Sequence, residues 1–161
     1  MTKFKILSWV LIPVIVINIA ASVLMAYSIY NYSGTITING THQDVVLRLS
    51  AAIVMMMLFA AGLYFIYKSC IMFMNRGYFN TKSALYLKRG AYILIFKALL
   101  GLIWISAHVD TSILADKESQ FDFISGMSKD ITLLIIGFAI IAVSDIIKKG
   151  NKLKQENDLT I

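Results

Sequence analysis

Four long apolar stretches, each bounded by polar residues, constrain this chain more than any other feature. The first, ILSWVLIPVIVINIAASVLMAYSIY from Ile6 to Tyr30, holds no charge. A helix needs about 20 predominantly apolar residues to cross about 30 Å of hydrocarbon at 1.5 Å rise, and this run is long enough. The second runs from about Leu49 to Tyr67, the third from about Ala91 to Ala107 and the fourth from about Ile131 to Ile147. The last two are shorter, and each holds one charge, Lys97 and Asp145. The composition agrees: 58% hydrophobic and 15% charged, against about 45–50% and 25% for soluble domains. So few charges cannot cover so much apolar surface. The expected fold is an all-α integral membrane protein, a four-transmembrane-helix bundle forming a single domain over residues 1–161.

Lys3 and Lys5 precede the first run, so a signal peptide must be weighed. A signal h-region spans about 7–15 residues and ends in small residues. Here the run is longer and closes on Met25, Tyr27 and Tyr30, which reads as a retained anchor. Lys and Arg near span ends set orientation. Lys3, Lys5, Lys68, Arg76, Lys82, Lys88, Arg89, Lys148, Lys149, Lys152 and Lys154 fall on one side. Arg48, Lys117 and Lys129 fall on the other, with Asp44, Asp110, Asp116, Glu118, Asp122 and Asp130. Both termini are therefore expected in the cytoplasm.

The extracytoplasmic segments are short. TITINGTHQDVV alternates Thr and Ile and then offers Asn39-Gly40, a two-residue hairpin signal. A short extracytoplasmic β-hairpin around residues 35–46 is expected. In the second such segment Phe121 and Phe123 are placed at the interface.

Polar groups at membrane depth are costly and are candidates for function. Lys97 lies about 10 Å into the third span and has a stem long enough to snorkel. Asp145 lies in the last turn of the fourth. The two are expected at similar height, as an ion pair or as two independently snorkelling groups. Asn18 is the deepest polar side chain, and its expected role is hydrogen bonding between helices. Pro13 is a candidate kink that neighbouring helices can tolerate. Gly62, Gly101 and Gly137 give each later span one glycine for close packing.

Signatures of chemistry are missing. His42 and His108 show no ligand spacing, and HExxH, GxSxG and phosphate-cradling glycine loops do not occur. Cys70 alone forms neither an intramolecular disulfide nor a thiolate metal site. No enzymatic activity, metal or cofactor is expected. The basic balance of +6 is spread over short inter-span segments. It suits anionic lipid headgroups rather than direct binding of nucleic acid.

The cytoplasmic side carries the distinctive residues. In MNRGYFNTKSALYLKRGAYI, Asn80 or Thr81 can cap a short helix leading into the third span. In IIKKGNKLKQENDLTI, Gly150 is placed to stop the last helix, and both charge signs then mix with Leu153, Leu159 and Ile161. This pattern resembles the small bacterial four-span membrane proteins labelled domain of unknown function 2975. Its members close with an acidic residue near the end of span four, a glycine after a basic turn, a leucine and a terminal D-L-T-I/V. Here those places hold Asp145, Gly150, Leu153 and Asp158-Leu159-Thr160-Ile161, and Gly77 and Phe79 match a G-x-F signature before span three. Asp145 stands where glutamate is more usual, which keeps the charge but shortens its reach.

The resemblance implies a bacterial cytoplasmic membrane. It also implies genetic proximity to a very small Xre-type helix-turn-helix regulator. The expected function is then that of a non-enzymatic regulator that tethers or antagonises such a partner through its cytoplasmic loop and tail. A small transporter or export subunit using Asn18, Lys97 and Asp145, or a purely structural membrane protein, is the alternative.

Overall fold

A computed structural model describes residues 2–32, 41–76, 80–107 and 117–158. Four helices account for nearly all of them: α1 (Thr2–Tyr32), α2 (Thr41–Arg76), α3 (Thr81–Ala107) and α4 (Lys117–Asp158). Each contains a segment long and apolar enough to cross a membrane: Lys5–Tyr30, Val46–Asn75, Thr81–Ala107 and Phe123–Asn157. All four helices extend past the spans expected from the sequence. α1 runs without interruption through Pro13.

The expected β-hairpin does not form over 41–46, because those residues are the first turns of α2. Extending a helix already held by its membrane span adds one hydrogen bond per residue fixed, whereas an isolated hairpin is marginal. The first half of the expected hairpin falls within 33–40, outside the described residues. Gly150 likewise does not end the last helix, which continues to Asp158. A mid-helix glycine costs only about 1 kcal/mol relative to alanine. The residues after it, Asn151 to Glu156, supply helix formers and a Lys152–Glu156 pair at 3.6 Å.

The helices pack in chain order, α1 on α2, α2 on α3 and α3 on α4. Among the described residues α1 and α4 do not pack on each other. Each neighbour is antiparallel to the last, so the start of α1 and the end of α4 share one end of the bundle. On α3 the buried positions are Ser83, Ala84, Leu87, Gly90, Ala91, Leu94, Ala98 and Gly101. They recur every three or four residues and form a seam of mostly small side chains. Without a hydrophobic drive between helices in lipid, close backbone approach supplies the packing. A Cβ at Gly90 would lie 2.9 Å from the Gly62 carbonyl oxygen, and one at Gly62 would lie 2.7 Å from a Leu94 methyl. A Cβ at Gly137 would meet Ile95 at 2.5 Å. The glycines of the last three spans thus mark the crossing points. Outward-facing Ile6, Trp9, Ile17, Val23, Phe96, Ile103 and Ile135 are exposed and offer their side chains to lipid.

Candidate functional site

Because α1 and α4 stand apart, a cleft runs between them with α2 and α3 as its floor. One half is a cavity of 630 Å³, lined by Asn18 of α1, Met55, Met56 and Phe59 of α2, Lys97 of α3 and Ser128, Lys129, Thr132 and Ile136 of α4. The other half, 500 Å³, is apolar and is lined by Leu7, Ile66, Cys70, Phe73, Leu87 and Ile140 among others. Ile136 borders both. The three consecutive methionines therefore do not act as one unit: Met55 and Met56 face the cleft, and Met57 is exposed.

Lys97 does not pair with Asp145. Its ammonium donates to Asp130 Oδ1, and the Asp130 carboxylate is buried. The reason is helical register. Across the antiparallel α3–α4 pair Thr81 meets Asn151, Ala84 meets Ser144, and Gly101 meets Asp130. Position 97 therefore faces the start of the fourth span, and Asp145 lies 15 residues, or about 22 Å, further along. Asp130 was assigned from sequence to the segment before span four, and its part in the site was missed. Its signal was available, since Gly101 sits one turn after Lys97 and leaves room for a carboxylate there.

Asp145 instead accepts a hydrogen bond from Lys88 Nζ at 2.9 Å. It lines a separate polar cavity of 500 Å³ with Thr81, Lys148, Lys149, Asn151, Lys152 and Gln155. Asn18, Lys97 and Asp145 thus do not line one continuous cavity; the first two share the cleft, and the third lies at the end of the bundle where α3 begins. Asn18 donates its amide to its own helix, to the Val14 carbonyl at 2.9 Å, rather than to a neighbour. One turn on, Ser22 donates to the Asn18 carbonyl at 2.8 Å.

The same end of the bundle is fastened by hydrogen bonds to the start of α3. Asn80 caps it, its Oδ1 accepting from the Lys82 amide at 2.9 Å. Buried Ser69 of α2 donates to the Ser83 carbonyl, and buried Ser144 of α4 donates to the Ala84 carbonyl, each at 2.8 Å. Asn151, beyond Gly150, donates its amide to Thr81 Oγ1 at 2.8 Å. These serines were missed in sequence because a serine in an apolar run does not announce a partner on another helix. The Ser83 hydroxyl is buried with no hydrogen-bond partner among the described residues. Tyr86 stacks on Phe65, ring centroids 6.2 Å apart, and carries Lys68 Nζ 4.8 Å from its own centroid.

Of the family-pattern residues, Gly150 is inside α4 and Leu153 projects outward, 62% exposed. Asp158 is the last residue of α4. Gly77, Phe79, Leu159, Thr160 and Ile161 lie outside the described residues. Among the described residues no group of His, Cys, Asp and Glu is arranged to hold a metal ion.

Four spanning helices, lipid-facing apolar surfaces and polar groups held between helices define a multi-pass helical membrane protein. Within that class, residues 2–161 match the family described as protein of unknown function (DUF2975), and the chain belongs to it. No curated protein and no solved structure matches it.

Proposed function

We propose that this protein is a non-enzymatic regulator in a bacterial cytoplasmic membrane, with both termini in the cytoplasm. In this reading it tethers or antagonises a small Xre-type helix-turn-helix regulator. One observation carries it: α4 continues past its apolar stretch to Asp158, with Lys152 to Asn157 exposed. This extension is about 16 Å long at helical rise. It presents Leu153 outward among Lys152, Lys154 and Glu156. Asn151 and the Lys88–Asp145 pair hold its base against α3, so a partner would meet a preorganised surface and would lose less chain entropy on binding. A mixed-charge helix with an apolar centre suits recognition by a soluble protein better than adhesion to lipid. The excess of Lys and Arg at this end supports the cytoplasmic orientation, and anionic headgroups would flank it.

The test is co-purification of the full-length tagged protein, and of a form ending at Gly150, with a co-expressed small Xre-type helix-turn-helix regulator. Full-length protein is expected to recover the regulator, and the shortened form to lose it. Equal recovery by both would remove the extension from the proposal.

A further inference from the structure

We infer that the cleft between α1 and α4 is a binding site for an anionic phospholipid entering sideways from the leaflet opposite the α4 extension. This goes beyond the tethering reading and does not depend on it. The cleft is graded along its length. Its first half offers the Lys129 ammonium together with Ser128, Thr132 and Asn18, and its second half is wholly aliphatic and aromatic apart from Cys70. Polar groups at one end and an apolar trough at the other match a headgroup and its acyl chain. The charge is also complementary: Lys97 is neutralised by Asp130, whereas Lys129 has no ion-pair partner among the described residues. A phosphate diester would meet that free ammonium and the Ser128 hydroxyl, the Thr132 hydroxyl being donated to the Ser128 carbonyl.

Length bears on the occupant. From Lys129 to Ile136 is about 10 Å along α4 and to Ile140 about 16 Å, close to half of the roughly 30 Å hydrocarbon core. A chain anchored at Lys129 therefore reaches the near part of the apolar half, from Ile136 to Ile140, while the far lining at Ile147 lies about 27 Å away. The cavities, 630 and 500 Å³, fall in the range of small-molecule sites, about 300–1,000 Å³. An anionic lipid supplies both an anion for Lys129 and an apolar chain for the trough beyond Ile136.

Native mass spectrometry of the full chain released from nanodiscs of mixed phosphatidylglycerol and phosphatidylcholine tests this. The wild type is expected to retain phosphatidylglycerol preferentially. Lys129→Gln, at an exposed position outside the packed core, should lower that retention about five-fold, the weight of one Lys–anion contact at a membrane surface. Ile136→Trp should block the trough and lower retention of both lipids, while Ile103→Trp, on an exposed face away from the cleft, should leave retention unchanged. Retention without preference for phosphatidylglycerol, or equal retention by the wild type and both cleft variants, would overturn the site. So would a change of subunit number in Ile136→Trp with lipid retention intact, which would assign the cleft to a second copy.

Discussion

The Asp130 carboxylate occupies the space that a side chain at position 101 would fill, and Gly101 is what lets it reach Lys97. An intramembrane ion pair is tolerable only with good geometry, because desolvation of both charges opposes it. The glycine is therefore part of the pair as much as either charged residue. It lies one helical turn beyond Lys97, on the face that meets α4.

Gly101→Ala is expected to displace the carboxylate and destabilise the protein by about 2 kcal/mol or more, since overpacking and a weakened ion pair add. Thermal unfolding in detergent would read this as a lowered midpoint. An unchanged midpoint would mean that the carboxylate moves aside freely.

Removing one charge should cost more than removing both. Lys97→Met leaves Asp130 buried and unpaired, at about 3–5 kcal/mol. The double variant Lys97→Met/Asp130→Leu should recover most of that loss, because the desolvation term disappears with the pair. Equal destabilisation of the single and double variants would show that the charges act independently.

At the other end of the bundle, Lys88 and Asp145 are partly exposed, at 33% and 47% for their side chains, and solvent and salt screen such pairs. Asp145→Asn should therefore lower the unfolding midpoint far less than Asp130→Asn, and its effect should shrink further at high salt. A larger effect at Asp145 would reverse the ranking of the two sites.

Substitutions at the α2–α3 crossing separate backbone from side-chain contact. At Gly90 a methyl meets the Gly62 carbonyl oxygen, while at Gly62 it meets Cγ and a methyl of buried Leu94. A side chain yields by small torsional shifts more readily than a carbonyl held in its helix. Gly90→Ala is expected to cost about 1–3 kcal/mol and Gly62→Ala less, as measured by unfolding in the same detergent.

The continuity of α4 across Gly150 is open to a spectroscopic check. Spin labels at positions 146 and 154 should report a separation of about 12 Å between backbone sites at helical rise. Gly150→Ala should leave it unchanged and Gly150→Pro should change it, since proline removes a hydrogen bond and clashes with the preceding turn. A separation already altered in the wild type would contradict a continuous helix.

How many helices this chain forms was legible in its apolar runs, because in a bilayer every backbone amide must be satisfied within the segment and length alone separates a span from a loop. A cap at Asn80 or Thr81, which the structure gives to Asn80, and the packing role of Gly62, Gly101 and Gly137 were also legible, being properties of local chemistry. Pairing was not. Lys97 and Asp145 look matched when each is placed at its own depth, yet the register of α3 against α4 gives Lys97 to Asp130 and Asp145 to Lys88. Register depends on which small residues let two backbones approach, and that is a relation between helices rather than a property of either. The cleft has the same origin: α1 and α4 are each ordinary apolar helices, and only packing in chain order leaves the space between them. Gly150 shows the converse, for its local signal to stop a helix is worth about 1 kcal/mol. Strong helix formers after it and the Asn151–Thr81 hydrogen bond carry α4 onward.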